Sequence, residues 1–174
     1  QHSSQLQFGT NGGFTFIYKT KRTGSSENGY FFDLWDPLTQ VQMRFFTHNS
    51  NVRFLLYEGA TCELIVPQSS WTVTELVLDY DDTTKVFSAT GLYRTMVNQG
   101  GTLVEQSTTA ISQQVTCAAS FALPDVDLTA AQAQGAFELR VSGNNAIKAD
   151  VYGLILFDQK LPAATSAAML AALD

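Results

Sequence analysis

Trp71-Thr72-Val73-Thr74-Glu75-Leu76-Val77-Leu78-Asp79-Tyr80-Asp81-Asp82-Thr83-Thr84-Lys85-Val86-Phe87-Ser88-Ala89 is the stretch that decides the fold class. Trp71 to Tyr80 reads as a long strand, Asp81-Asp82-Thr83-Thr84 is a turn tetrad, and Lys85 to Ala89 brings the chain back as a second strand. The same signal extends outward over Gly13 to Val97, where aromatic and β-branched residues recur at every second position between Gly, Pro, Asn and Asp clusters. Upstream, Phe14, Phe16 and Tyr18 alternate with Thr15, Ile17 and Lys19 before a Gly/Ser-rich loop from Lys21 to Gly29. Tyr30 to Trp35 ends at Asp36-Pro37, since proline cannot donate to a ladder. Val41 to Phe46, Val52 to Tyr57 and Cys62 to Val66 then read as successive antiparallel neighbours.

Downstream the signal thins. Asn98 to Gln114 is polar, with Leu103, Val104 and Ile111 as its apolar anchors. Val115 to Phe121 is expected to be a strand, and Leu123 to Gln134 a loop with one helical turn through Thr129-Ala130-Ala131. Phe137 to Val141 and the nearly continuously apolar Val151 to Phe157 are expected to complete the β pattern, the second as a core strand. After Pro162, the Ala-rich run Ala163 to Leu173 is the one convincing helix. The order predicts an all-β, antiparallel two-sheet sandwich with a short C-terminal helix.

A chain of 174 residues with 45% apolar content can bury one core without a metal scaffold, so residues 1–174 are expected to form a single domain. Charged residues make up only 15%, and a net charge of −6 argues against a phosphate backbone as partner: no nucleic acid is expected. No apolar run reaches membrane-spanning length, so no membrane insertion is expected either. A chain opening on Gln1 with no signal-type segment is expected to be a processed form or a piece of something longer. Cys62 and Cys117 lie too far apart for a zinc cluster or a redox pair. Two assignments fit them: two buried apolar thiols, or a disulfide, which the few lysines and many Thr, Ser and Gln favour because they suit an extracellular β-protein. No Asn-x-Ser/Thr acceptor occurs to support secretion independently.

The order of motifs resembles the laminin G-like, pentraxin-like branch of the concanavalin A-like lectin/glucanase jelly rolls. Gly13-Phe14-Thr15-Phe16 is similar to the opening strand of that family, and Phe31-Phe32-Asp33-Leu34-Trp35-Asp36 to its next. Trp71 heading a long strand, Phe87-Ser88-Ala89-Thr90-Gly91 after the turn, and the closing Leu154-Ile155-Leu156-Phe157-Asp158-Gln159-Lys160-Leu161-Pro162 follow in the family's order. The resemblance spans nearly the whole chain and implies a jelly-roll topology. It also implies a structural calcium, but Tyr152 stands where the family often carries the acidic ligand.

Catalytic constellations are missing. No carboxylates recur along one strand as a glycosidase pair requires; Asp79 and Asp81 have the spacing, but Asp81 belongs to the turn. The two histidines, His2 and His48, fall in a terminus and a polar loop, and no serine elbow exists, so an enzyme is not expected. No cofactor is required. Calcium candidates are Asp33 and Asp36 and, with alternate carboxylates in an extended segment, Asp125 and Asp127.

Strand alternation supplies the binding hypothesis. With Phe32, Leu34, Met43, Phe45, Phe54 and Leu56 inward, Trp35, Arg44, Phe46, Arg53 and Tyr57 point outward, where aromatic rings and guanidinium groups could stack a sugar or clamp an acidic group. Asn51 completes the candidate set at the His48 to Asn51 loop, one of three polar connections, with Lys21 to Glu27 and Asn98 to Gln106, expected to hold ligand groups. Trp71 is expected in the core. The expected function is a non-catalytic extracellular or cell-surface module that binds a glycan or an extracellular protein; a structural or self-associating assembly domain is the alternative, and a carbohydrate-active enzyme a distant third.

Overall fold

The structure, a computed structural model, describes residues 5–22, 29–36, 41–48, 51–58, 60–67, 72–127 and 149–173. Among these residues it is mostly β, with two larger antiparallel sheets and one short C-terminal helix. In chain order the strands are β1 (Gln5–Leu6), β2 (Gly13–Arg22), β3 (Gly29–Asp36), β4 (Val41–His48), β5 (Asn51–Glu58), β6 (Ala60–Pro67), β7 (Thr72–Asp81), β8 (Val86–Gln99), β9 (Thr102–Thr116), β10 (Val126–Asp127) and β11 (Ala149–Phe157), followed by helix α1 (Ala163–Ala171). The front sheet is the meander β3-β4-β5-β6, and the back sheet runs β11-β2-β7-β8-β9. The two-residue strands β1 and β10 pair at one end.

The central hairpin is present. Thr72–Asp81 pairs with Val86–Thr95, and the Asp81 carboxylate accepts from the Thr83 and Thr84 N–H groups, closing the turn ahead of Lys85 at φ 57°. Gly91 in β8 answers a close approach. A Cβ there would sit 2.0 Å from the Glu75 carbonyl oxygen, and its φ of 148° lies where L side chains are strained.

The core lies between the two sheets. Phe14, Phe16 and Tyr18 of β2, with Leu76, Leu78 and Tyr80 of β7, face Phe32, Leu34, Met43, Phe45, Val52, Phe54 and Leu56 of the front sheet. Rings join the layers: Phe16 meets Phe45 at 4.3 Å and Phe32 at 5.5 Å between centroids, and Tyr18 meets Phe54 edge-on. Burial pushes the Tyr18 hydroxyl up from its ordinary pKa, although Thr20 Oγ1 donates to it. At the β1–β10 end, Phe8 and Phe121 cap the core against Phe14 and Tyr80. The disulfide is formed: Cys62 of β6 and Cys117, just past β9, tie the sheets together with a Cα–Cα distance of 5.3 Å.

Thr15 and Ile17 are as buried as the core residues they alternate with, because the C-terminal segment covers that end of the back sheet's outer face and the Leu161 N–H donates to Thr15 Oγ1. The helix begins after Pro162, whose carbonyl accepts from the Thr165 and Ser166 N–H groups, and docks through Ser166. Leu173 then packs where Gly153 leaves no Cβ in its way. Among the described residues Val151 to Phe157 is an edge strand rather than a core strand, with Val151 and Tyr152 exposed beside a register shift. Asn98 to Gln106 is no irregular loop but the tip of a long β8–β9 hairpin turning at Gly100-Gly101, so the polar stretch before Gln114 is a strand. Val115 and Thr116 end that strand, and the chain beyond Cys117 turns through Phe121 instead of continuing extended. The helical turn at Thr129–Ala131, the strand at Phe137–Val141 and the core placement of Trp71 lie outside the described residues.

Candidate recognition face

Antiparallel register fixes which positions are neighbours on the front sheet. Trp35, Gln42, Tyr57 and Thr61 form one row across β3, β4, β5 and β6; Asp33, Arg44, Leu55 and Glu63 form the next. Phe46, Arg53 and Ile65 share the third row, and His48, Asn51 and Pro67 the last. The inward partners Leu34, Met43, Leu56 and Phe45, Phe54, Leu64 are buried, as alternation demands. Arg44, Arg53 and Tyr57 therefore share one face with the register positions of Trp35 and Asn51. Trp35 is described in its backbone alone. Asn51 stands six positions from Tyr57 along β5, roughly 20 Å at strand rise, so it does not share a subsite with it.

The face is open on its β5–β6 side, where Tyr57 is 38% and Ile65 40% exposed, and closed toward β3, where Asp33 is buried under its partners. Both arginines are occupied. Arg44 Nη2 donates to Asp33 Oδ2 at 3.1 Å, Gln42 Nε2 donates to the other Asp33 oxygen at 3.2 Å, and Arg53 Nη1 lies 3.3 Å from Glu63 Oε1. Paired in this way, the guanidinium groups present planar, charge-compensated hydrogen-bonding groups, Arg44 one row and Arg53 two rows from Tyr57. The arrangement suits uncharged polar groups better than an acidic one.

The remaining candidate carboxylates hold the chain together. Asp125 accepts from the Thr10 N–H at 2.9 Å and, through its other oxygen, from Thr10 Oγ1, which holds its carboxyl below the ordinary range. Asp127 pairs in register with Gln5, and no group of three or more His, Cys, Asp or Glu side chains that could hold a metal occurs among the described residues. Asp36 ends β3. Tyr93 lies in mid-β8, packed against the core.

Asp79 and Asp81 flank the docked C-terminal segment. Lys160 Nζ donates to Asp81 at 2.9 Å and lowers its pKa, while Asp79, which accepts from Thr15 Oγ1, is pushed up by burial. The signs oppose each other. Asp81 and Asp125 contribute stability that is present above 3.8 and lost as pH falls through their lowered folded values. Asp79 binds its proton more tightly folded than unfolded, so its contribution is fullest below 3.8 and is lost as pH rises through its raised value. Asp79→Asn keeps an acceptor for Thr15 and removes the desolvated charge. Its melting temperature is expected to exceed the wild type's at pH 7, with the gap closing below about pH 4, where a carboxyl group carries its proton. Thermal melts across that range check this, and a lower melting temperature at pH 7 would contradict it.

No protein-family model matches this chain, and a search of curated proteins finds no match.

Proposed function

We propose that this chain is a non-catalytic recognition domain of the jelly-roll class, similar to laminin G-like modules, that binds a glycan on the outer face of its front sheet. The observation that carries the reading is the open row of Tyr57 beside Gln42 and the Arg44–Asp33 pair, an aromatic platform flanked by planar hydrogen-bonding groups. Because the guanidinium groups are already paired, the expected ligand class is an uncharged sugar. The family reading is supported by the sheet order, in which the final strand joins the opening strand and the hairpin strands follow it. The disulfide fits an oxidising compartment, and with it an extracellular or cell-surface site.

Binding to an array of neutral glycans tests the proposal. Tyr57→Ala is expected to weaken the best signal roughly tenfold or more, since stacking on an exposed ring is worth about a kilocalorie beyond its area. Being on the surface, the substitution should change folding stability by only about 0.5 kcal/mol. Trp35→Ala tests the same row from β3. An array with no bound glycan, or a bound glycan indifferent to both substitutions, would overturn the reading.

A further inference from the structure

Among the described residues the two large sheets have four edge strands, and three carry features that discourage pairing with another chain. β3 has a register shift at Phe31 and the acidic Asp33 and Asp36, β6 has Glu63 and Pro67, and β11 has a register shift at Val151/Gly153 and the acidic Asp150. β9 differs. From Ser107 to Thr116 it contains no charge, proline, glycine or register shift, and it pairs with β8 alone among the described residues.

The direction of its free backbone groups follows from one bond. The Cys117 N–H donates to the Lys85 carbonyl at 2.8 Å, toward β8. Antiparallel alternation then turns the N–H and C=O groups of Thr116, Gln114, Ser112, Ala110 and Thr108 to the open edge. All five residues are exposed. The edge can therefore accept one more antiparallel strand, and the strand that fits it without a clash of charge is a second copy of itself.

We infer that two copies of this chain associate through β9, antiparallel, about a two-fold axis at Ser112. In that register Ser112 faces its own copy, Ala110 faces Gln114 and Thr108 faces Thr116, so all five outward residues meet outward residues. Glu105 falls beyond the paired segment, and no like charges meet. The ladder spans about 30 Å and joins the two back sheets into one continuous sheet. The outer faces of both front sheets, on the far side of each sandwich, stay free.

Sedimentation velocity on the full chain, from low to high micromolar concentration, tests this. The wild type is expected to dimerise with rising concentration. Ser112→Lys sets two ammonium groups against each other at the axis, and Ser112→Pro removes an N–H that bonds only across the edge; both variants are expected to be monomeric with the wild-type melting temperature. Thr90→Lys, on exposed β8 beside Ser112, adds the same charge away from the edge and should leave the dimer intact. A wild type that stays monomeric throughout, or a dimer that survives both Ser112 variants, overturns the inference.

Discussion

Phe16→Ala is expected to reduce the unfolding free energy by about 3–5 kcal/mol, the cost of truncating a fully buried aromatic side chain. Phe16 is 1% exposed and stands midway along β2, where its ring meets Phe45 and Phe32 of the opposite sheet. Phe45 in turn stacks on Phe32 and meets Phe54 edge-on, so the cavity would open inside an aromatic layer held by both sheets. Such a layer collapses poorly, because closing the gap would move two hydrogen-bonded sheets toward each other. A double-mutant cycle between Phe16 and Phe45 should return a coupling of about 0.5–1.5 kcal/mol. Urea unfolding measures both quantities. A loss near that of an exposed residue, about 0.5 kcal/mol, would mean that the two sheets do not pack face to face at this point.

Removing the disulfide is the second large effect. Cys62 and Cys117 are 55 residues apart, and opening a loop of that length in the unfolded chain is worth on the order of 4 kcal/mol. Both cysteines belong to the core cluster, so Cys62→Ala with Cys117→Ala also loses sulfur packing. The double variant is expected to melt about 8–16 °C below the wild type, given roughly 2–4 °C per kcal/mol for a domain of this size. Reductant should lower the wild-type melting temperature toward the variant's and leave the variant unmoved. Two titratable thiols in denaturant without reductant would contradict the bond itself.

The sequence made some of this legible and hid the rest for identifiable reasons. Phe32/Leu34, Met43/Phe45 and Phe54/Leu56 could be placed inward because the front sheet has one buried face, and period-two alternation is unambiguous there. On β2 nothing local announces that Leu161 returns to Thr15 and helps cover the outer face of that strand. The apolar run of β11 read as a core strand because a sheet edge packed between core and helix carries the same composition as a central one. β9 was invisible for the opposite reason: exposed on both faces over most of its length, it has no apolar stripe, and only its threonines hint at extended backbone.

The candidate site was half legible. Alternation gives the face of Arg44, Arg53 and Tyr57 but not the distance along it, and only register shows that Asn51 lies at the far end of β5. The ion pairs were hidden as well, because the Arg44–Asp33 contact joins strands and the Arg53–Glu63 contact crosses a turn. The partner of Asp125 was hidden too, since Thr10, which donates to both of its oxygens, lies 115 residues away in the chain.

The central claim is that the front sheet has one face in the core and the other on the ligand. Amide chemical shifts of the labelled protein, titrated with the neutral oligosaccharide that binds best on the array, test it most directly. The predicted result is a contiguous set of shifts at Gln42, Arg44, Leu55, Tyr57 and Thr61, weakening toward Asn51 and absent from β8 and β9. Shifts confined to the β8–β9 hairpin or to the Thr10–Asp125 end, with the Tyr57 row unmoved, would contradict it.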